Sequence, residues 1–341
     1  VDLFFVLSGF LITGILLDAK GRPHYFRDFY LRRVLRIFPA YYALLLLFFV
    51  LLPLLHNGAI DRYLADSAPD QAWHWTYLSN FRIAWRGTWY QHHFPNVFWS
   101  LAIEEQFYMV WPLVVALCGR STLRNACLAL VAISLGFRLA LLLGTDANWV
   151  TRFVLTPGRM DGLAIGALLA TSVRSGADPA ATRRAGWIAL LGAATPLLAL
   201  ELQRPDNWRD LPLQSARFTL VAVVCGAALW LALGSSARSP WRLVFESRSL
   251  RTLGKYSYAL YLWHGPAVAL VRAFFHPNDH GTVWGSRLPL QIAHFAAALA
   301  LSLLAAWLSF QLIERHFLAL KTRFSHRPAN RDSVRPTDLP S

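Results

Sequence analysis

Residues 217–234 read Arg-Phe-Thr-Leu-Val-Ala-Val-Val-Cys-Gly-Ala-Ala-Leu-Trp-Leu-Ala-Leu-Gly. After Arg217 the stretch carries no charged side chain, and about 20 apolar residues are what a helix needs to cross a bilayer. Eight further segments read the same way: roughly 1–17, 37–55, 98–118, 125–143, 155–173, 185–201, 255–275 and 289–313. The sequence therefore predicts an all-α, polytopic membrane helix bundle with nine spans. Residues 1–313 form its membrane domain. Residues 314–341 read as a polar tail without stable structure, marked by Pro328, Pro336 and Pro340.

Composition points the same way. The chain has 341 residues, of which 55% are hydrophobic and only 15% charged. A soluble domain usually carries about 25% charged residues. The net charge is nevertheless +14. A nucleic-acid-binding domain spreads such charge over a polar surface, whereas here it lies between long apolar runs. That excludes nucleic acid as the partner and makes the lipid bilayer the first one. Cys118, Cys127 and Cys225 lie in or beside apolar runs without metal-like spacing, and read as small buried hydrophobes.

The basic residues also orient the chain. Loops 18–36, 119–124, 174–184 and 235–252 with the tail 314–341 hold 21 Lys and Arg, while the alternate loops 56–97, 144–152, 201–217 and 276–288 hold 8. The positive-inside rule places the first set in the cytoplasm, so the C-terminus is expected inside and Val1 outside. One more span upstream of Val1 would make ten. Segment 56–97 becomes the longest external loop. Its aromatic residues (Trp73, Trp75, Tyr77, Trp85, Trp89, Tyr90) read either as an interfacial belt or as a sugar-stacking surface. The loop histidines show no metal spacing and read as surface residues.

Ionisable groups inside spans are functional candidates by default. Glu104 and Glu105 lie in Trp99-Ser100-Leu101-Ala102-Ile103-Glu104-Glu105-Gln106-Phe107-Tyr108, with Ser100 and Glu104 on one helix face. Each carboxylate is either functional or half of a packing ion pair. Arg159 and Asp161 open Arg159-Met160-Asp161-Gly162, within a small-residue ridge of Gly158, Gly162, Gly166 and Ala170 suited to close helix approach. His264 follows Ser257 and Tyr261 at helical spacing, as one polar stripe. Arg32-Arg33-Val34-Leu35-Arg36 sits at a cytoplasmic membrane entry. It reads either as an anchor on anionic lipid or as a grip on a phosphorylated substrate. No Gly-rich phosphate loop, GxSxG elbow or HExxH motif is present.

These motifs together resemble the acyltransferase-3 family of bacterial membrane acyltransferases, which includes the O-antigen acetylases. Val1–Thr13 is similar to the family's second-helix signature, and Arg33 and Arg36 to its RxxR pair. Trp99–Tyr108 resembles its WSLxxEEQFY segment, Arg159–Leu169 its RFDGLALGALL element with Met160 for Phe, and Leu253–His264 its LGxxSYxLYLWH segment. At the family's Glu-x-Pro turn the chain has Glu314 and His316.

The resemblance implies an enzyme of the bacterial inner membrane. It would move an acyl group, commonly acetyl, from cytoplasmic acyl-CoA to a hydroxyl of a carbohydrate acceptor, without a metal. It implies catalytic roles for Glu104, Arg159 and His264 and a CoA-phosphate grip for Arg33 and Arg36. It also implies a general-base histidine on a first helix upstream of Val1. A transporter or flippase of lipid-linked saccharide, or an assembly subunit without turnover, fits the same spans.

Overall fold

The computed structural model describes residues 1–320 apart from 177, 203–211, 236–238, 240–242, 245, 276–280 and 284. Each of the nine apolar segments falls on a helix. These are α1 (Asp2–Ala19), α2 (Tyr25–Leu46), α3 (Phe98–Leu117), α4 (Arg120–Gly144), α5 (Met160–Arg174), α6 (Pro179–Leu202), α7 (Pro212–Leu233), α8 (Arg248–Phe274) and α9 (Leu288–Ser309). No strand occurs among the described residues.

Length and composition qualify seven of them to cross a membrane: α1, α2, α3, α4, α6, α7 and α9. The other two miss for different reasons. Helix α5 has 15 residues, about 22 Å at 1.5 Å per residue, and a 3-10 turn at Thr156–Arg159 leads into it. Helix α8 has 27 residues but carries Arg248, Arg251, Lys255, His264 and Arg272. Among the described residues, seven of the nine helices thus meet both measures. At the other end, α9 runs on through a π-turn at Phe310–Glu314 into Arg315–Leu320. Helix therefore occupies the first residues of the segment read as tail, and residues 321–341 lie outside the described residues.

The small-residue ridge of α5 receives α1. A Cβ on Gly166 would lie 2.0 Å from the Val6 carbonyl oxygen, and one on Gly9 would lie 2.0 Å from that of Leu163. The two backbones touch with no side chain between them, which is what small residues permit in a membrane bundle. At the far end, Asp18 of α1 accepts from Arg174 of α5 at 2.8 and 2.7 Å. Lys20 donates to the Val115 and Cys118 carbonyls at 2.8 and 2.6 Å, joining the end of α1 to the end of α3.

A buried ion pair joins α4, α5 and α7. The Arg138 and Asp161 side chains are 1% and 3% exposed, and their contact is 3.0 Å. Arg138 also donates to the Ser215 carbonyl at 2.9 Å, to Thr219 Oγ1 at 2.5 Å and to the Gly158 carbonyl. Asp161 accepts in addition from Thr219 at 2.7 Å and from the Gly162 amide at 3.0 Å. Both charges are saturated, so Asp161 is a structural group.

Segment 56–97 folds into short helices, Gly58–Leu64, Gln71–Trp75, Ser79–Arg86 and His93–Asn96. Most of its aromatic residues turn inward. Tyr77 and Tyr90 are buried, Trp75 stacks on Tyr42, and Trp89 packs against Trp99, Trp149 and Phe153. Trp85 remains outside, 81% exposed. The expectation of surface histidines fails at His74, which is fully buried and stacked on Phe49. Beside it, Asp70 is bound by Arg82 at 2.8 Å, Arg86 at 3.0 Å and the Tyr90 hydroxyl at 3.1 Å. Asp66 is bound by Arg86 at 2.5 Å.

This packing makes the segment acid-labile. Burial pushes His74 down from 6.5 to about 4, so it folds in as neutral imidazole. The unfolded chain binds a proton that the folded one refuses between these values. Stability is therefore intact above pH 6.5 and falls as pH drops toward 4, by about 3 kcal/mol across the window. Burial raises Asp66 and Asp70, but their hydrogen bonds outweigh it and hold both below 3.8, so their contribution is lost at still lower pH. Limited proteolysis should find the segment protected at pH 7 and cleaved near pH 4. His74→Phe should move the onset of cleavage to lower pH. Equal protection at both pH values would refute the account.

Candidate functional site

Helices α1, α2, α3 and α8 enclose a cavity of about 630 Å³. Its mouth lies at the C-terminal end of α1, where Asp18 and Arg22 meet Arg32, Arg33 and Arg36 of α2. Its floor is Phe4, Ser8, Leu101, Glu104 and Tyr108. Ten residues of helix separate Asp18 from Ser8, so the floor lies about 15 Å below the mouth. Arginines predominate at the mouth, where Asp18 also stands, and Arg33 reaches from there toward the floor that holds Glu104.

Local sequence explains the placement. Arg33 and Arg36 are three apart on α2 and share a face. The Arg33 guanidinium lies over the Tyr108 ring, 4.7 Å from its centroid, a cation–π contact joining mouth to floor. Arg36 faces Glu314, Tyr108 and Tyr258. Glu314 is brought there by the π-turn at the end of α9, is 5% exposed, and accepts from Ser309 at 3.4 Å. The Tyr258 hydroxyl donates to the Ile37 carbonyl at 2.8 Å and ties α8 to α2.

Glu104 is 3% exposed. The Ser8 and Tyr108 hydroxyls face its carboxylate, with the charges of Arg33 and Glu105 nearby. Its Oε1 has no hydrogen-bond partner. Ser8 Oγ and Tyr108 Oη share a hydrogen bond with each other. The arrangement is a buried acid–base group with two hydroxyls, at the bottom of a cavity whose entrance attracts anions.

The structure unites Arg33, Arg36 and Glu104 in this cavity and leaves Arg159 and His264 outside its lining. Arg159 is 1% exposed and pairs with Asp2, not with Asp161. The rings of Phe5, Trp99, Phe153 and Phe218 surround it at 4.7 to 5.7 Å. His264 Nδ1 lies 2.6 Å from the Tyr261 carbonyl oxygen. Tyr261 in turn bonds Ser100 Oγ and the Val97 carbonyl, and stacks on Phe4 of the floor. Within the predicted polar stripe, Ser257 lines the cavity, Tyr261 stands behind Phe4 of its lining, and His264 lies about one turn beyond.

Sequence reasoning passed over Ser8, Tyr108 and Tyr258 as site residues. All three stand inside quoted motifs, but their contacts are made across distant parts of the chain.

Comparison with known proteins places the chain in a family. The family model described as an acyltransferase domain matches residues 1–310. The chain is 28% identical over 331 residues to the peptidoglycan O-acetyltransferase OatA of Listeria monocytogenes, covering 92% of this chain and 50% of that protein. It is 29% identical over 287 residues to the putative peptidoglycan O-acetyltransferase YrhL of Bacillus subtilis, covering 79% and 44%. It is 27% identical over 330 residues to the O-acetyltransferase OatA of Staphylococcus aureus, covering 92% and 51%. The chain spans about half the length of these relatives. No solved structure matches. On the family match over most of its length, the chain belongs to the acyltransferase-3 family, whose acyltransferase domain it carries over residues 1–310.

Proposed function

We propose that the chain is a multi-pass O-acyltransferase of the bacterial inner membrane. It takes an acyl group, acetyl in the first instance, from cytoplasmic acyl-CoA and passes it to a hydroxyl of a cell-envelope carbohydrate. The observation that carries this reading is the layout of the cavity, with four arginines around the mouth and Glu104 at the floor. Arginine grips phosphate through paired N–H donors. A donor held at the mouth by its phosphates, with its arm extended, presents its thioester to the floor. There Glu104 is placed to take the proton of an attacking hydroxyl, as general-base catalysis requires. The bias of basic residues toward alternate loops supports a cytoplasmic mouth and a cytoplasmic C-terminus. The peptidoglycan O-acetyltransferases among the relatives support cell-wall glycan as the acceptor.

Arg159 and His264 are positioning residues on this reading. Arg159 anchors the start of α1 through Asp2, and His264 braces the backbone of Tyr261 behind the floor.

The test is transfer of radiolabelled acetyl from acetyl-CoA to glycan in membranes carrying the full-length protein. Arg33→Ala and Arg36→Ala should each raise the KM for acetyl-CoA by about tenfold or more, with kcat less affected, because each removes a charge-assisted phosphate contact. Unchanged KM in variants that insert normally would make these arginines membrane anchors. No label in glycan with the wild-type protein would refute the reading.

A further inference from the structure

We propose that Ser8 is an acyl-carrying nucleophile: its hydroxyl accepts the acyl group from the thioester and holds it as an ester before passing it to the acceptor. This rests on the acyltransferase reading above and deepens it.

The first observation is the orientation of the Ser8 hydroxyl. Hydroxyl side chains inside helices commonly bond back to the carbonyl four residues earlier. In this chain Thr171, Ser172 and Ser302 do so, at 2.9, 2.9 and 2.6 Å. Ser8 makes no such bond to the Phe4 carbonyl. Its Oγ instead crosses to Tyr108 on α3, 100 residues away in sequence. The second observation is its company. Nucleophilic serine is inert at its ordinary acidity and needs an adjacent base oriented by a third group. Ser8 faces the Glu104 carboxylate, and Tyr108 faces both. The third is access. Ser8 is 7% exposed, and that exposure opens into the cavity floor below the arginine mouth. Finally, α1 packs backbone to backbone against α5 at Gly9, the residue next to Ser8.

The step balances with groups already named. Ser8 Oγ attacks the thioester carbonyl carbon and its proton passes to Glu104. The C–O bond forms, the C–S bond breaks, and the departing thiolate takes the proton from Glu104 to leave as thiol. In the second half, a carbohydrate hydroxyl attacks the Ser8 ester. Glu104 takes that proton and returns it to Ser8 Oγ as the ester C–O bond breaks. The sum is transfer of one acyl group from thiol to hydroxyl. A carrier in mid-bundle separates the two half-reactions, so donor and acceptor need not occupy the floor together.

The experiment incubates membranes carrying the full-length protein with radiolabelled acetyl-CoA and no acceptor. The reaction is quenched in acid, the protein digested, and acetylated peptides located by mass spectrometry. The expected result is acetyl on the peptide containing Ser8, discharged when acceptor glycan is added. Ser8→Ala should lose this label, and glycan transfer should fall on the order of 10³-fold or more. Ser8→Cys keeps a nucleophile of similar size, and should form a thioester cleaved by neutral hydroxylamine. That variant decides the matter if Ser8→Ala does not accumulate. Glycan acetylation at wild-type rate in Ser8→Ala would overturn the proposal while leaving the acyltransferase reading intact. So would a wild-type protein that labels glycan but never Ser8. Absence of label from both glycan and protein would overturn the two together.

Discussion

Glu104→Gln abolishes acyl transfer while the protein accumulates in membranes at its normal level. The substitution keeps the shape of the side chain and its capacity to bond the Ser8 and Tyr108 hydroxyls that face it. Folding should tolerate it, because a neutral amide is easier to bury than a carboxylate with an unpartnered oxygen. Arg33 keeps its seat over the Tyr108 ring. What disappears is the ability to accept a proton at the cavity floor, and a positioned base contributes about 10²- to 10⁴-fold. The measurement pairs membrane protein level with labelled acetyl in glycan. Normal transfer by Glu104→Gln would reduce this residue to packing. Loss of the protein itself would show that its charge serves the fold.

The second large effect is on stability. Arg138→Met removes one partner of the buried pair and leaves the Asp161 carboxyl, 3% exposed, with only Thr219 and the Gly162 amide. Removing one member of such a pair costs about 3–5 kcal/mol, because the charge left behind has lost its solvent and its partner. The variant should unfold at markedly lower temperature in detergent and accumulate poorly. Replacing both, Arg138→Met with Asp161→Leu, should recover much of the loss, because two apolar side chains need no pairing. An unfolding temperature for Arg138→Met equal to wild type would refute the account.

The helical architecture was legible because apolar runs and alternating basic loops are one-dimensional signals. Arg217–Gly234 needs no partner to be read as a span. Helices α5 and α8 were harder, because one is short and the other charged. The site was legible where its chemistry is local: Arg33 and Arg36 share a face through their own spacing, and Glu104 stands out as a carboxylate in an apolar run. Helical spacing reveals which residues share a face and leaves open what that face meets. Arg159 and Asp161, two apart, therefore read as one feature, yet they pair with Asp2 and Arg138 respectively. The hydroxyl pair of Ser8 and Tyr108 joins two motifs through a contact the chain order conceals. Segment 56–97 misled for another reason. Aromatic residues suit an interface and a core equally, and here the core takes most of them.

The glycine contact between α1 and α5 gives the cavity unequal walls. Backbone on backbone leaves nothing to slide, and the Asp18–Arg174 pair clamps the far end of the same two helices. On the opposite side, α8 reaches α2 and α3 through tyrosine hydroxyls, Tyr258 to Ile37 and Tyr261 to Ser100 and Val97. One wall of the cavity is thus joined to the bundle backbone to backbone, and the opposite wall through side chains, so a substitution at Gly9 or Gly166 pushes whole helices apart while one at Tyr258 or Tyr261 removes a single tie.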